Sequence, residues 1–289
     1  MKLGRFENHR LGVISENRVF DVTDVLQDMP EFRWPLPPGD QFVSRLDVME
    51  KLISERIKRA DSRPIDSVQF DSPIANPTKI IAAPINYKEH IKEAREDPEI
   101  RQNRKITSIG DWGLFLKSTT SVIGCSEEIQ IRFPERRTDH EVELAVVIGK
   151  HADRVSSDVA LGHVAGYCIG LDMTLRGPEL PSWRKSIASY TVLGPWLVTT
   201  SEIPSPGNLE FSLKVNGEIR QKSCTSELVY SIPRLIEYAS AMYPLFPGDV
   251  ILTGTPDGVG PVAAGDEIEA EFENIGSMKV RVASLVQKD

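Results

Sequence analysis

Hydrophobic positions in this chain come in short bursts. KIIAAPI, GLFLKSTTSVIG, EIQIRF, VELAVVIGK, GYCIGLDMTL, GPWLVTT, LEFSLKVNGEIRQK, DVILTGT, DEIEAEFE and MKVRVASLV are rich in β-branched residues, with Gly, Pro, Asn or Asp between them. Such residues suit a pleated, half-buried surface and the separators suit turns, so each run predicts one or two strands. Nearer the start, LGVIS and RVFDV flank Glu16-Asn17, which predicts a hairpin tip there. Helical spacing is rarer. Leu46, Met49, Leu52, Ile53 and Ile57 share one face of a helix across residues 41–60. Ser156–His163 reads as a short capped helix, and Ile232–Met242 as another, with Pro233 in its first turn. Residues 30–40 hold four prolines and read as a loop. Many strands with few helices exclude a doubly wound sheet and predict an α+β, β-rich fold with antiparallel or mixed sheets. Residues 1–75 are expected to form a small N-terminal α+β domain, and residues 76–289 a larger β-rich one.

Composition narrows the partners. The chain has 289 residues, 40% hydrophobic and 26% charged, with a net charge of −8. An acidic balance without a basic face offers no footprint for nucleic acid. An anionic small molecule would then need locally placed cations. No apolar run reaches the roughly 20 residues that cross a bilayer. MKLGRFENHRLGVI carries Arg5, Glu7 and Arg10 where a signal peptide would be apolar. Cys125, Cys168 and Cys224 are far apart and form no CxxC, which suits inert thiols in a reducing cytoplasm. The expectation is a cytoplasmic protein that handles a small molecule, without membrane or nucleic acid.

The sharpest local chemistry lies in Asp139-His140-Glu141-Val142-Glu143-Leu144-Ala145-Val146-Val147-Ile148. In a strand, alternate side chains share a face, so Glu141 and Glu143 point the same way, followed by Ala145 and Val147. Their Cα atoms lie roughly 6.6 Å apart at about 3.3 Å per residue. Two carboxylates at that separation converge on one cation; without one they repel, and burying them is costly. A Glu-x-Glu pair is commonly a solvated strand edge, but the apolar residues on the same face argue for burial. All-oxygen ligands suit Mg2+, Mn2+ or Ca2+ rather than zinc.

This stretch is similar to the DYEVELAVVIGK-type signature of the fumarylacetoacetate hydrolase family. INYKEHIKE, VAGYCIGLDMTLR, WRKS, LGPWLVT, VNGEIRQKSCTSEL and PGDVILTGTPDGVG resemble other family segments, in family order, across residues 78–285. The resemblance implies a catalytic domain built as a mixed β-sheet roll or sandwich. The family is usually homodimeric and holds one Mg2+ or Mn2+. By motif, the metal ligands are Glu141, Glu143 and Asp172, with Arg176 and Lys185 offsetting their charge and holding substrate. The chain also departs from the pattern. His140 stands where tyrosine is frequent, Glu179 where glutamine is common, Ala188 where aspartate is common, and RGPELPSWRKS is short. These positions bear on substrate identity and leave the ligand set intact.

His90 and Glu93 share a face if NYKEHIKEARED is helical, and a carboxylate that orients an imidazole makes a general base. A charged, solvated helix would look the same; the family segment favours catalysis. Its charge makes residues 88–104 a candidate mobile lid. Lys185 can stabilise developing negative charge. Tyr87, Arg176, Glu179 and Thr255 are expected to contact substrate, and Lys117 to line the same pocket. Arg184 reads as a surface residue, and His9, His151 and His163 as surface or core residues.

Together these features predict metal-dependent hydrolysis of a C–C bond in a 2,4-dioxo acid, with His90, Glu93 and Lys185 as the catalytic set. An acylpyruvate or a diketo-deoxy sugar acid would release pyruvate or a related 2-oxo acid. Two alternatives keep the site. One is oxaloacetate decarboxylation or tautomerisation of an unsaturated 2-oxo diacid, through the same enolate chemistry. The other is a non-catalytic scaffold that binds a 2-oxo acid, against which the intact His90, Glu93 and Lys185 weigh.

Overall fold

The computed structural model describes residues 1–102 and 107–285. Its main sheet has 12 strands. At its centre the strand Val142–Ile148 runs between Val164–Asp172 and Val250–Leu252, antiparallel to both. Beyond Val250–Leu252 lie Ile80–Ala82, parallel, and Phe115–Lys117, antiparallel. On the other side Val164–Asp172 pairs with Thr191–Thr199, which pairs with Lys2–Phe6. The hairpin of Arg10–Ser15 and Arg18–Asp21 continues the sheet. Its tip is Glu16-Asn17, with φ of 50° and 60°, the left-handed pair that a two-residue turn between twisted strands requires.

All seven residues of Val142–Ile148 are buried, and their alternation feeds two separate cores. Ala145 and Val147 pack in one cluster with Leu3, Val13 and the inward face of helix α1 (Leu46–Arg56), through Met49 and Ile53. Val142, Leu144, Val146 and Ile148 pack in the other, with Leu235 and Ile236 of the helix Ile232–Met242. This second cluster includes Phe211 and Phe272, stacked 4.4 Å apart on a second, five-stranded sheet. A strand covered on both faces reads as a near-continuous apolar run, as VELAVVI does. The segment 1–75 therefore shares a sheet and a hydrophobic cluster with the segment 76–289.

Strands stop where turn chemistry intervenes. DVILTGT pairs only over Val250–Leu252, because Gly254 adopts φ of 98° and swings the backbone toward Asn86. A third sheet, of three short strands, joins Thr138–His140 to Thr174–Leu175 and Gly260–Pro261.

Close sheet packing gives a direct stability test. At Gly166, in Val164–Asp172, a Cβ would lie 2.2 Å from the Val198 carbonyl oxygen on the neighbouring strand. Gly166→Ala is expected to lower stability by about 1–3 kcal/mol. Urea unfolding should show a lower midpoint with an unchanged slope; a wild-type midpoint would mean the two strands separate there at no cost.

Candidate active site

Strand register brings the three predicted carboxylates together. Val142 pairs with Leu171, and the Asp172 N–H donates to the Glu141 carbonyl at 2.9 Å, so Glu141 and Asp172 are cross-strand neighbours. Opposed residues on antiparallel strands share a face. One carboxylate oxygen each from Glu141, Glu143 and Asp172 lies within 4.8 Å of the others. All three side chains are buried, at 3%, 1% and 1% exposure. Glu143 accepts the Gly254 N–H at 2.6 Å, which fixes it against the turn after Val250–Leu252. That turn is held by Asn86, whose Nδ2 donates to the Thr253 carbonyl at 2.8 Å.

Cations enclose this cluster. Lys185 Nζ donates to Glu141 Oε2 and to Asp172 Oδ2, both at 2.6 Å. Lys117 Nζ donates to Asp172 Oδ1, and to the Tyr190 carbonyl at 3.0 Å. Arg176 Nη2 donates to Glu141 Oε1 at 3.0 Å, and its Nε to Asp139 Oδ2 at 2.7 Å. Burial opposes ionisation of Glu141, but Lys185 and Arg176 overcome it and hold its pKa far below the usual range. Glu143 goes the other way. Burial, then the charge of Asp172, raise its pKa well above 4.5. Burial also lowers the pKa of Lys117, and Asp172 offsets part of that loss.

The residues present fit a divalent cation. Three buried carboxylates form an all-oxygen donor set, and burial with the charge of Asp172 raises the Glu143 pKa, which a bound dication would oppose. Hard dications such as Mg2+ or Mn2+ suit these donors.

The carboxylates open into a small cavity of about 40 Å3, lined by Glu141, Glu143, His90, Arg176, Lys185 and Thr255 among others. One wall is helix α2 (Lys88–Glu96), where His90 Nδ1 lies 2.8 Å from Glu93 Oε2. Glu93 Oε1 accepts the Gly258 N–H at 2.9 Å, so both of its oxygens are engaged. Helix α3 (Pro98–Arg101) follows. The expected 88–104 lid covers these helices; its residues 103 and 104 lie outside the described residues. A larger open groove of about 920 Å3, beside α1 and Trp196, contains none of the predicted site residues.

Other predicted residues take different places. Thr255 lines the cavity, donates to the Val142 carbonyl at 2.9 Å and accepts from Gln221 Nε2 at 2.8 Å. Tyr87 faces the core, its ring edge-on to Phe211 at 6.1 Å, and is not on the cavity wall. Glu179 forms a two-pronged pair with Arg136, at 2.8 and 3.0 Å, also off the wall. Arg136 donates as well to the Arg176 carbonyl at 2.8 Å, so Glu179 acts on Arg176 at one remove. Lys117 grips Asp172 from outside the cavity. His140 is in the core, 3.1 Å from Gln221 Oε1.

Arg184 corrects an expectation. It is 7% exposed and lines the cavity; at the end of the short helix Pro181–Arg184, the outward place goes to Trp183, 77% exposed. Sequence reasoning also passed over Asp139 and Arg137, although Asp139 continues the alternation that picked out Glu141 and Glu143.

The family model described as fumarylacetoacetate (FAA) hydrolase C-terminal matches residues 79–283. The chain belongs to the fumarylacetoacetate hydrolase family. It is 50% identical to a maleylpyruvate hydrolase of Aquipseudomonas alcaligenes, over 99% of this chain and 100% of that one. It is 38% identical to the mitochondrial oxaloacetate tautomerase of Bos taurus, over 70% of this chain and 90% of that one. Among solved structures, maleylpyruvate hydrolase from Sphingobium sp. SYK-6, in complex with manganese(II) ion and pyruvate, superposes with a TM-score of 0.84. That pair is 33% identical, across 98% of this chain and 99% of that chain. The sheet-rich α+β architecture expected from the pattern of short runs is the architecture of this family.

Glu143 gives the site a measurable proton linkage. Its folded pKa is raised, so its bound proton favours the metal-free fold at low pH, and that contribution is lost as pH rises through the raised value. A cation competes with that proton, so Mn2+ affinity is expected to rise with pH and binding to release protons. Calorimetry in buffers of different ionisation enthalpy measures the release; none would show that Glu143 is already ionised.

Proposed function

We propose that this protein is a divalent-metal-dependent hydrolase that splits a C–C bond in an acylpyruvate, with maleylpyruvate as the substrate to test first. The observation that carries the reading is one cavity lined by Glu141, Glu143, His90 and Lys185, with Asp172 completing the carboxylate cluster and Glu93 paired with His90. Full-length similarity to a maleylpyruvate hydrolase supports the choice of substrate. The manganese and pyruvate in a structural neighbour support the choice of metal and of product.

A Mg2+ or Mn2+ ion on Glu141, Glu143 and Asp172 would supply Lewis acidity and a template for the 2-oxo acid end. Glu93 accepts a hydrogen bond from His90 Nδ1–H, which leaves Nε2 as the proton acceptor. His90 Nε2 takes a proton from water, and the hydroxide adds to the distal carbonyl. The C–C bond then breaks, its electron pair leaving as pyruvate enolate, while the acyl part becomes a carboxylate. Lys185 and Arg176 place positive charge beside the leaving group. His90 returns its proton to the enolate carbon. From maleylpyruvate the products are maleate and pyruvate.

The reading extends to a homodimer in the cytoplasm. Three free thiols support a reducing compartment, and exposed Leu180 and Trp183 beside the cavity support self-association.

With Mn2+, the protein is expected to release pyruvate from maleylpyruvate faster than from oxaloacetate, read by coupled reduction of pyruvate. Rapid keto–enol exchange of oxaloacetate without pyruvate release would favour the tautomerase reading instead. Glu141→Ala is expected to abolish metal-dependent turnover; full activity after chelation and dialysis would remove this site from the mechanism. His90→Ala is expected to lower kcat by about 10²–10⁴ while Mn2+ affinity holds. Loss of Mn2+ binding in that variant would show that His90 acts structurally.

A further inference from the structure

Outside the ligand set, one arginine ties the base-bearing helices to the metal carboxylates. Arg137 Nε and Nη2 donate to Asp139 Oδ1 and Oδ2, at 2.6 and 2.9 Å. Its Nη1 reaches the opposite way, to Asp97 Oδ2 at 3.2 Å and to Glu99 Oε2 at 2.9 Å. Asp139 also accepts from Arg176, which donates to Glu141. Alternating charges thus run unbroken from α3, through Arg137, Asp139 and Arg176, to a metal ligand.

Helices α2 and α3 have other attachments as well, among them Glu93 to the Gly258 N–H. Their apolar contacts form a satellite cluster of Ile85 and Ala94 with Ile91, Ile100 and Trp112, separate from both main cores. Segments with little buried apolar contact open most easily. Asp97 does double service, because Oδ1 accepts the Glu99 N–H at 2.7 Å, capping α3, while Oδ2 faces Arg137. Asp139 is fully buried, and Arg137 engages it with two prongs, the geometry in which a guanidinium–carboxylate pair is strong and poorly screened.

We propose that Arg137 is a positioning residue for the reaction. By spanning Asp139 and the Asp97–Glu99 pair, it sets the separation between His90 and the carboxylates that hold the metal. It touches neither the base nor the ligands, and acts by where it holds α2 and α3. The proposal rests on the reading of His90 and Glu93 as the proton acceptor.

Two sets of substitutions separate the sides of the clasp. Asp97→Asn with Glu99→Gln removes the outer charges, and keeps both a helix cap and the Arg137–Asp139 pair. Arg137→Gln removes both sides. In Mn2+-loaded protein the outer variant is expected to lower kcat about five- to tenfold. The KM for maleylpyruvate and the Mn2+ affinity should stay within about twofold. Adding Arg137→Gln should cost little more in kcat, because the span from α3 to Asp139 is already broken on its outer side. Amide hydrogen exchange over residues 88–101 should be about tenfold faster in both variants, with no substrate present. That readout stands even if the true substrate proves different. Wild-type exchange rates would overturn the proposal, as would activity losses that track Mn2+ affinity or that multiply in the combined variant. Arg137→Lys, whose single ammonium cannot span both sides, should recover only part of the rate; complete recovery would also overturn it.

Discussion

Everything at the site follows from burying like charges at the end of a central strand. Glu141, Glu143 and Asp172 are nearly inaccessible, and their nearest oxygens are a few ångströms apart. Isolated, such a cluster would cost more than a domain's net stability. Each neighbouring element answers that cost. Lys185 bridges two of the carboxylates, Lys117 meets Asp172 from behind, Arg176 meets Glu141, and Gly254 donates its N–H to Glu143. Burial and the charge of Asp172 still raise the pKa of Glu143. Three buried carboxylates so placed suit a dication.

The fold supplies the rigidity that this arrangement needs. The strand with the glutamates is flanked on both sides, covered on both faces and anchored in two cores. Its side chains have no freedom to escape one another. The base is placed differently. His90 sits on a short helix held by a few apolar contacts and by charge. Rigid ligands with a loosely attached base suit a reaction in which substrate enters beside that helix.

Much of this was legible in the order of residues. The alternation from Glu141 to Ile148 placed the glutamates on one face, and the two hydrophobic clusters divide along that alternation. His90 and Glu93, spaced for a helix turn, do meet on α2. Asp172 was recoverable only through family resemblance, because its approach to Glu141 is set by strand register, which depends on distant packing. Arg184 was misjudged because the direction of a side chain at the end of a four-residue helix is decided by what the chain does next. Tyr87 and Glu179 lie next to residues of the site yet face away from the cavity, a distinction that spacing along the chain does not encode.

The pairing of Lys2–Phe6 with Thr191–Thr199 carries a consequence for how such proteins can be recombined. That pairing hides the flank of a long strand that lies next to Asp172's own. Strip away the leading segment and a row of backbone donors and acceptors is bared, ready to zip onto another molecule. A relative built without that segment must shield the same flank by its own device. Leading segments therefore cannot be exchanged among such relatives as free modules; each has to match the flank that it seals.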